Sequence, residues 1–161
     1  GIQSRHKSEE FPPEDWSRVL DVNLTAVFLL CQMAARQFMA QGEGGKIITV
    51  SSMLSFFGGF TVPAYAASKG GVAQLTKALC NEWAGKGITV NSLAPGYMAT
   101  DMNEALLGPE NPRNAEITGR IPAGRWGTGE DMKGPVIFLA SRASDYLNGA
   151  VIPVDGGYLV R

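Results

Sequence analysis

Two hydrophobic periodicities alternate along the chain, and together they predict helices separated by short, buried strands. From about residue 13 to Gln41 the apolar positions recur at helical spacing, and Pro12-Pro13 followed by two acids is typical of a first helical turn. Glycines at positions 42, 44 and 45 end this pattern. Residues 46–50 then form a β-branched run, which predicts a strand buried on both faces.

The same order repeats once in the next part of the chain. Residues 64–84 are rich in Ala, Leu and Lys and predict a long helix, which Gly85 and Gly87 stop. Residues 88–93 predict a second strand, closed by Pro95-Gly96. The order helix, strand, helix, strand favours a parallel sheet with covering helices.

The last third of the chain has weaker patterns. Residues 97–127 contain prolines and scattered glycines, and they predict short helices and loops that lie over one end of the sheet. Thr128 and Asp131 have the spacing of a capping box, which predicts a helix to about Ala140 with Pro135 inside it. Residues 150–154 predict a last short strand.

These elements predict an α/β fold: a doubly wound, Rossmann-like parallel sheet in which residues 1–161 form one partial domain. Three strands are few for such a sheet, because its nucleotide site normally lies where two sets of strands diverge. We therefore expect the sequence to be truncated at its N-terminal side, with the first strands of the fold absent.

Charge and composition narrow the possible partners. The 161 residues carry a formal net charge of -1, which gives no basic surface for nucleic acid. The longest apolar run, residues 26–31, is short for a membrane span of roughly 20 residues. Cys31 and Cys80 fall in helical patterns, which favours free thiols in a reducing compartment. We expect a cytoplasmic protein with neither nucleic acid nor membrane as a partner.

Tyr65 and Lys69 are the first candidates for chemistry, because residues four apart share one face of a helix. A nearby ammonium stabilises a phenolate and lowers the pKa of a tyrosine from about 10, as general acid–base catalysis requires. Taken alone, such a pair is more often an incidental feature of an exposed helix face.

Ser52 and Asn23 add two polar groups to this candidate site. Ser52 follows a predicted buried strand, where open α/β sheets place their ligands, although Ser51-Ser52 could also simply end the strand. Asn23 lies in an apolar helical stretch, so its amide needs partners. It either caps or kinks the helix, or belongs to a hydrogen-bonded proton path.

Two other features carry no catalytic prediction. His6 is the only histidine and neither cysteine has metal-ligand spacing to it, so we expect no zinc site and no histidine-based triad. The glycine-rich residues 42–46 precede a strand, whereas a phosphate loop must follow one, so they predict a turn.

Taken together, the candidate residues resemble the second half of a short-chain dehydrogenase/reductase. The matching features, in family order and at family spacing, are Asn23 in DVNLTAVF, Ser52 thirteen residues before Tyr65, the run YAASK, VNSLAPGYMAT, and VDGG near the end. The resemblance covers the chain from Gly1 to Arg161.

The resemblance implies a role for each residue. Tyr65 would donate a proton to a substrate carbonyl, with Lys69 lowering its pKa and binding the nicotinamide ribose. Ser52 would orient the carbonyl and Asn23 would hold a proton-relay water. The implied cofactor is NAD or NADP, with NAD slightly favoured, and its contacts would be Tyr65, Lys69, Pro95, Gly96, Met98 and Thr100. Asp155-Gly156-Gly157 would be a structural turn.

Part of the family pattern is absent from these residues. The sequence contains neither the T-G-x-x-x-G-x-G loop nor the residue that selects NAD or NADP, and Gly1 resembles the last glycine of an N-N-A-G motif. Pyrophosphate binding relies on backbone amides at a helix N-terminus. We therefore expect the 161-residue chain by itself to bind dinucleotide poorly and to turn over little or nothing.

Stretches such as SSMLSFFGG, RIPAGRWG and FLASRASDYLNG resemble the subgroup that acts on sugar acids, such as 2-deoxy-D-gluconate or 2-dehydro-3-deoxy-D-gluconate. A carboxylate needs a cation or directed donors, which makes Arg5 and Arg120 candidates, whereas Arg125 fits a structural ion pair better. Met53 and Trp126 are candidate pocket walls, although each could equally be core.

Two alternatives stay open. A 3-oxoacyl-carrier-protein reductase or a gluconate 5-dehydrogenase-like enzyme would share the same catalytic residues. A non-catalytic interaction subunit would instead use the helices of residues 14–41 and 64–84, through which members of the family usually form tetramers. The resemblance implies a homotetramer for the full-length parent enzyme.

Overall fold

A three-stranded parallel sheet in the order β1-β2-β3 forms the centre of the computed structural model, which describes residues 1–108 and 110–161. The strands are β1 (Gly45–Val50), β2 (Ile88–Pro95) and β3 (Val151–Val154). All three predicted strands are confirmed. Strand β2 is longer than expected because its pairing with β3 continues, so that the Gly96 N–H still donates to the Val154 carbonyl at 3.0 Å.

Helices cover this sheet and connect its strands. The α-helices among the described residues are α1 (Pro13–Leu20), α2 (Ala26–Gln41), α3 (Pro63–Trp83), α4 (Glu104–Leu107), α5 (Pro112–Arg120) and α6 (Gly129–Ala140). Short 3-10 turns lie at Ser8–Glu10, Met53–Ser55, Ala84–Lys86, Asp101–Asn103, Arg142–Ser144 and Tyr158–Val160. The α/β Rossmann-like class predicted from the sequence is confirmed.

A π-helical turn interrupts the predicted single helix before Gln41. It spans Asp21–Thr25 between α1 and α2, and the Ala26 N–H donates to the Asp21 carbonyl, five residues back. Such turns widen a helix locally and are often found at functional sites. Asn23 is the one buried residue of this turn.

The apolar core lies between the sheet and the helices α2 and α3. Its buried members come from both helices and from β1 and β2: Cys31, Ala35, Ile47, Leu79, Trp83, Ile88 and Val90. Cys31 is buried in this cluster and Cys80 is half-buried beside it, and both thiols are free, as the sequence predicted. Helix α6 contacts all three strands.

The continuous helical stretch of residues 13–41 is long and apolar enough to cross a membrane by length and composition alone. The expectation of no membrane span was based on the longest uninterrupted apolar run in this stretch, residues 26–31. Helices in protein cores meet the same criterion, and Cys31 and Ala35 of this stretch pack against Leu79 and Ile47 in the core.

The predicted start of α6 is confirmed. The Thr128 N–H donates to the Asp131 carboxylate at 2.7 Å, and Pro135 lies within the helix. The Arg125 guanidinium forms a two-point ion pair with the same carboxylate, at 2.7 and 2.9 Å. The ion pair with Arg125, followed by the bonds from Thr128, lowers the pKa of Asp131 well below its usual range. Arg125 therefore has the structural role expected of it.

The turn between α2 and β1 depends on glycine. Gly42 and Gly44 both have positive φ, at 75° and 73°. A Cβ at Gly42 would meet no atom within 4 Å, whereas one at Gly44 would collide with the Gly87 carbonyl oxygen. That oxygen also accepts a hydrogen bond of 3.1 Å from the Gly45 N–H, so it cannot shift freely.

We expect Gly44→Ala to destabilise the chain more than Gly42→Ala. The left-handed conformation alone costs about 1–2 kcal/mol for a residue with a Cβ, and both variants bear that cost. Gly44→Ala adds the backbone collision, for which we expect a further loss of about 1–3 kcal/mol. Urea denaturation of both variants measures the two free energies of unfolding, and equal losses would contradict the packing shown here.

Candidate active site

The candidate site is a cleft of about 340 Å³ where β1 and β2 reach their carboxyl ends. Ser52 follows β1 and Gly96 follows β2, so parallel pairing brings both to one edge of the sheet. Tyr65, in the first turn of α3, faces the same cleft. The topology thus brings together Ser52 and Gly96, which are 44 positions apart (52 to 96).

Ser52 both ends its strand and lines the cleft. Its hydroxyl accepts a hydrogen bond of 3.1 Å from the Leu54 N–H and thereby caps the turn Met53–Ser55. Ser55 then donates to the Lys69 carbonyl at 2.7 Å, which ties this turn to α3. Ser52 can therefore both end the strand and face a ligand, which are the two interpretations that the sequence left open.

Lys69 lies next to Tyr65, as the four-residue spacing predicts. Its ammonium nitrogen is 5.7 Å from the centroid of the Tyr65 ring. Lys69 is buried, and its ammonium donates a 2.8 Å hydrogen bond to the carbonyl of Val50, the last residue of β1. The pair is therefore not part of an exposed helix face: Lys69 is buried and Tyr65 lines the cleft.

The pKa shifts of this pair differ from the sequence expectation. Burial raises the pKa of Tyr65 above its ordinary value, and a hydrogen bond with Ser52 opposes part of that rise. Burial also lowers the pKa of Lys69. The predicted lowering of the tyrosine pKa by Lys69 is not seen here, because loss of solvent is the largest cause and only the Ser52 hydrogen bond opposes it.

Asn23 is held in a buried, hydrogen-bonded position by the π turn. Its amide oxygen accepts from the Ile2 N–H at 2.9 Å, and its amide nitrogen donates to the Ile2 carbonyl and to the Ser68 hydroxyl at 2.8 and 3.2 Å. Ser68 in turn donates to the Tyr65 carbonyl at 2.8 Å. The amide thus joins the N-terminal segment to the helix that carries Tyr65.

The segment after β2 lies on the other side of the cleft. Gly96 has no room for a side chain, because a Cβ would lie 2.7 Å from the Cα of Asp155. Met98 is buried, and the backbone around it pairs with Gly127. Thr100 is exposed and precedes the turn Asp101–Asn103.

The substrate candidates divide into two groups. Arg5, Met53 and Arg120 line the cleft together with Ser52 and Tyr65.

Trp126 lies instead in a buried core cluster, where its indole N–H donates to Asn114 and Thr118 at 2.9 and 3.1 Å. It is 91% buried and packs edge-to-face on Tyr97. Of the two roles that the sequence left open for Trp126, the structure shows the core role.

Several cleft residues were not predicted. Tyr97, Arg113, Glu116 and Tyr158 line it, and they come from the segment after β2, from α5 and from the C-terminal turn. No local sequence pattern marks them, since only the tertiary fold brings these segments together.

The fold and this site define a class. A family model described as "Enoyl-(Acyl carrier protein) reductase" matches residues 1–159, and the chain belongs to this family of short-chain dehydrogenases/reductases.

Individual relatives carry sugar-acid names. The chain is 53% identical over 161 residues to 2-dehydro-3-deoxy-D-gluconate 5-dehydrogenase of Escherichia coli, covering 100% of this chain and 63% of that protein. It is 46% identical over 160 residues to the 5-keto-D-gluconate 5-reductase of the same organism, covering 99% and 62%. The chain thus spans less than two thirds of the length of the curated relatives it matches.

Solved structures give the same picture. A protein of Agrobacterium tumefaciens, provisionally assigned as a 2-deoxy-D-gluconate 3-dehydrogenase and solved with NADP, superposes with a TM-score of 0.97 at 52% identity, covering 100% of this chain and 65% of that one. A gluconate 5-dehydrogenase of Burkholderia cenocepacia, in complex with NADP and tartrate, gives 0.96 at 44% identity, covering 100% and 62%.

We expect Tyr65 to titrate above the ordinary tyrosine value of about 10, because burial disfavours its phenolate. The difference in tyrosinate absorbance between the wild-type chain and Tyr65→Phe isolates this titration. Ser52→Ala should shift it further upward, since the Ser52 hydrogen bond lowers the pKa.

Ser51→Ala is the matched control, because Ser51 donates to the Leu93 carbonyl instead and should leave the titration unchanged. Since the folded-state pKa is raised, the stability that Tyr65 contributes is fully present below about pH 10 and is lost as the pH rises through the folded-state pKa. A midpoint at or below 10 would show that burial does not dominate.

Proposed function

We propose that this protein is the catalytic part of an NAD(P)(H)-dependent oxidoreductase that interconverts a hydroxyl and a carbonyl on a sugar acid. The observation that carries the proposal is the convergence of Ser52 and Tyr65 on one cleft, with the Lys69 ammonium 5.7 Å from the tyrosine ring. A proton donor and a second hydroxyl aimed at one cleft can polarise and protonate a carbonyl oxygen while a hydride is delivered to its carbon, and a buried cation can stabilise the negative charge that develops.

Tyr65 supplies the proton in this mechanism. Its raised pKa keeps the phenol protonated at neutral pH, so in the reductive direction it donates to the carbonyl oxygen of the substrate. Ser52 donates a hydrogen bond to the same oxygen and orients it. In the oxidative direction Tyr65 must accept a proton, so the rate of oxidation rises with pH. Asn23 holds α3 in place through Ser68 and, in this proposal, also the relay water.

The described residues fit the nicotinamide end of a dinucleotide. The proposed contacts are Tyr65, Lys69, Pro95, Gly96, Met98 and Thr100. Of these, Tyr65 and Gly96 line the cleft, and the Lys69 ammonium lies beside Tyr65. When bound, the dinucleotide supplies or accepts the hydride. The glycine-rich loop that binds pyrophosphate in this family is not found in the 161 residues. The relatives solved with NADP support a nicotinamide dinucleotide as the cofactor.

A sugar acid is the proposed substrate class, such as 2-dehydro-3-deoxy-D-gluconate or 2-deoxy-D-gluconate. The names of the relatives support it over a 3-oxoacyl substrate, while a gluconate 5-dehydrogenase-like activity stays within the same class. Arg5 and Arg120 are the proposed carboxylate ligands, and Met53 is a proposed wall. We further propose one domain, a cytoplasmic location and a homotetrameric parent enzyme.

A second candidate function is that of an interaction subunit without catalysis. The observation that favours it is the exposed apolar surface of α2, on which Leu30 and Met33 are each 64% exposed. Such a subunit would pair with complete copies of the enzyme through this helix.

Tyr65→Phe should lower turnover about a thousandfold, within the range that general acid–base catalysis contributes. The assay follows the reduced dinucleotide during oxidation of 2-dehydro-3-deoxy-D-gluconate by the native protein isolated from its source, with NAD and NADP tested separately. Peptide mapping of the same preparation shows whether residues upstream of Gly1 are present. The 161-residue chain assayed alone should turn over little or nothing.

Tyr146→Phe is the matched control, because Tyr146 is fully exposed and lies outside the cleft. If the native protein oxidises no sugar acid and Tyr65→Phe changes nothing, the catalytic proposal is wrong. Co-purification of the native protein with a complete relative would then support the interaction subunit.

A further inference from the structure

Arg120 and Tyr158 form a stacked pair in the wall of the cleft. The guanidinium carbon of Arg120, the last residue of α5, lies 4.6 Å from the centroid of the Tyr158 ring. This distance is within the roughly 6 Å over which an aromatic face attracts a cation. Both residues line the cleft that contains Ser52 and Tyr65. The aromatic ring therefore places a positive charge in the same cavity as the reacting groups.

Tyr158 is a rigid support for this charge. It is 95% buried, and its ring packs against Tyr97 and Phe57 with centroid distances of 5.3 and 6.1 Å. The turn that carries it is fixed by Asp155, whose carboxylate accepts from the Gly157 and Leu159 N–H groups at 2.9 and 2.8 Å. A ring held in this way limits the positions that the long side chain above it can adopt.

The C-terminal segment also holds the end of α5 itself. The Arg161 guanidinium donates to the Gly119 carbonyl at 2.6 Å, and the Ala123 N–H donates to the Gly156 carbonyl at 3.0 Å. The backbone on both sides of Arg120 is thus bonded to the segment that carries Tyr158. The two members of the stacked pair are fixed relative to each other.

The charge of Arg120 is available to a ligand. Glu116 precedes it by one helical turn and lines the same cleft, yet none of the ion pairs among the described residues involves Arg120. Burial is also the main cause that raises the pKa of Tyr158, so the ring beneath it stays an uncharged phenol. A planar guanidinium can bind a carboxylate through two parallel hydrogen bonds.

We propose that Tyr158 is a positioning residue for substrate selectivity: its ring holds the Arg120 guanidinium in the cleft, where it binds the carboxylate of the sugar acid. This inference rests on the proposed function, and the contact with the Tyr158 ring is the feature that favours Arg120 over Arg5, which lines the same cleft. The C-terminal turn then determines that an acid is bound, while Ser52 and Tyr65 act on its carbonyl or hydroxyl.

The experiment compares D-gluconate with its uncharged counterpart D-glucitol, titrated into the full 161-residue chain and followed by NMR. Arg120→Gln should weaken gluconate binding about tenfold or more, in keeping with the loss of a charge-assisted pair. Tyr158→Leu should weaken it about three- to tenfold, whereas Tyr158→Phe, which keeps the ring, should stay within about twofold. Glucitol binding should change in none of these variants.

Two further variants separate positioning from general stability. The double variant Arg120→Gln/Tyr158→Leu should bind gluconate no more weakly than Arg120→Gln alone, since Tyr158 acts only through the arginine. Arg36→Gln is the matched control, because Arg36 is an exposed arginine on α2 and lies outside the cleft. It should change gluconate binding less than twofold.

If Tyr158→Leu does not fold, pentafluorophenylalanine at position 158 replaces it and is compared with Tyr158→Phe. Fluorination removes the attraction of the ring for a cation with little change of shape, so gluconate binding should again weaken. The role of Tyr158 would be overturned if its variants weakened gluconate and glucitol binding equally. It would also be overturned if Tyr158→Leu still weakened gluconate binding when Arg120 is already Gln. A wild-type chain that does not prefer gluconate to glucitol would overturn the proposed substrate class as well.

Discussion

The hydrogen bond between the Lys69 ammonium and the Val50 carbonyl is the interaction on which the site depends. A buried ammonium needs a polar partner, and within residues 1–108 and 110–161 the Lys69 ammonium finds one hydrogen-bond acceptor, the last carbonyl of β1. This bond, together with that from Ser55 to the Lys69 carbonyl, fixes α3 against the end of the strand. The distance between Ser52, which follows the strand, and Tyr65, which lies one turn before Lys69, is set by these two contacts.

Much of this arrangement could be predicted from the sequence because it depends on local patterns. The β-branched run before Ser52 and the helical spacing of Tyr65 and Lys69 are each encoded within a few residues. Parallel pairing then brings the strand ends together without further information. The capping box at Thr128 and the ion pair of Arg125 also join residues close together in the sequence, and the structure contains both.

The remaining features depend on tertiary packing. Asn23 could be predicted because it is a polar residue in an apolar helical stretch. Its π turn and its bonds to Ile2 could not, because they follow from how the N-terminal segment lies against the helix. The direction of the shift in the Tyr65 pKa depends on how much solvent the fold removes from the phenol. The four-residue spacing of Tyr65 and Lys69 does not reveal this. The contact between Arg120 and Tyr158 joins residues 38 positions apart (120 to 158), with no pattern linking them.

Because the C-terminal segment anchors α5, two properties of the protein depend on different parts of the sequence. The groups proposed to move a proton lie within residues 23–69, whereas the segment that supports the cleft wall is formed by residues 155–161. Under this proposal, changes in a few terminal residues would alter ligand preference and leave residues 23–69 as they are.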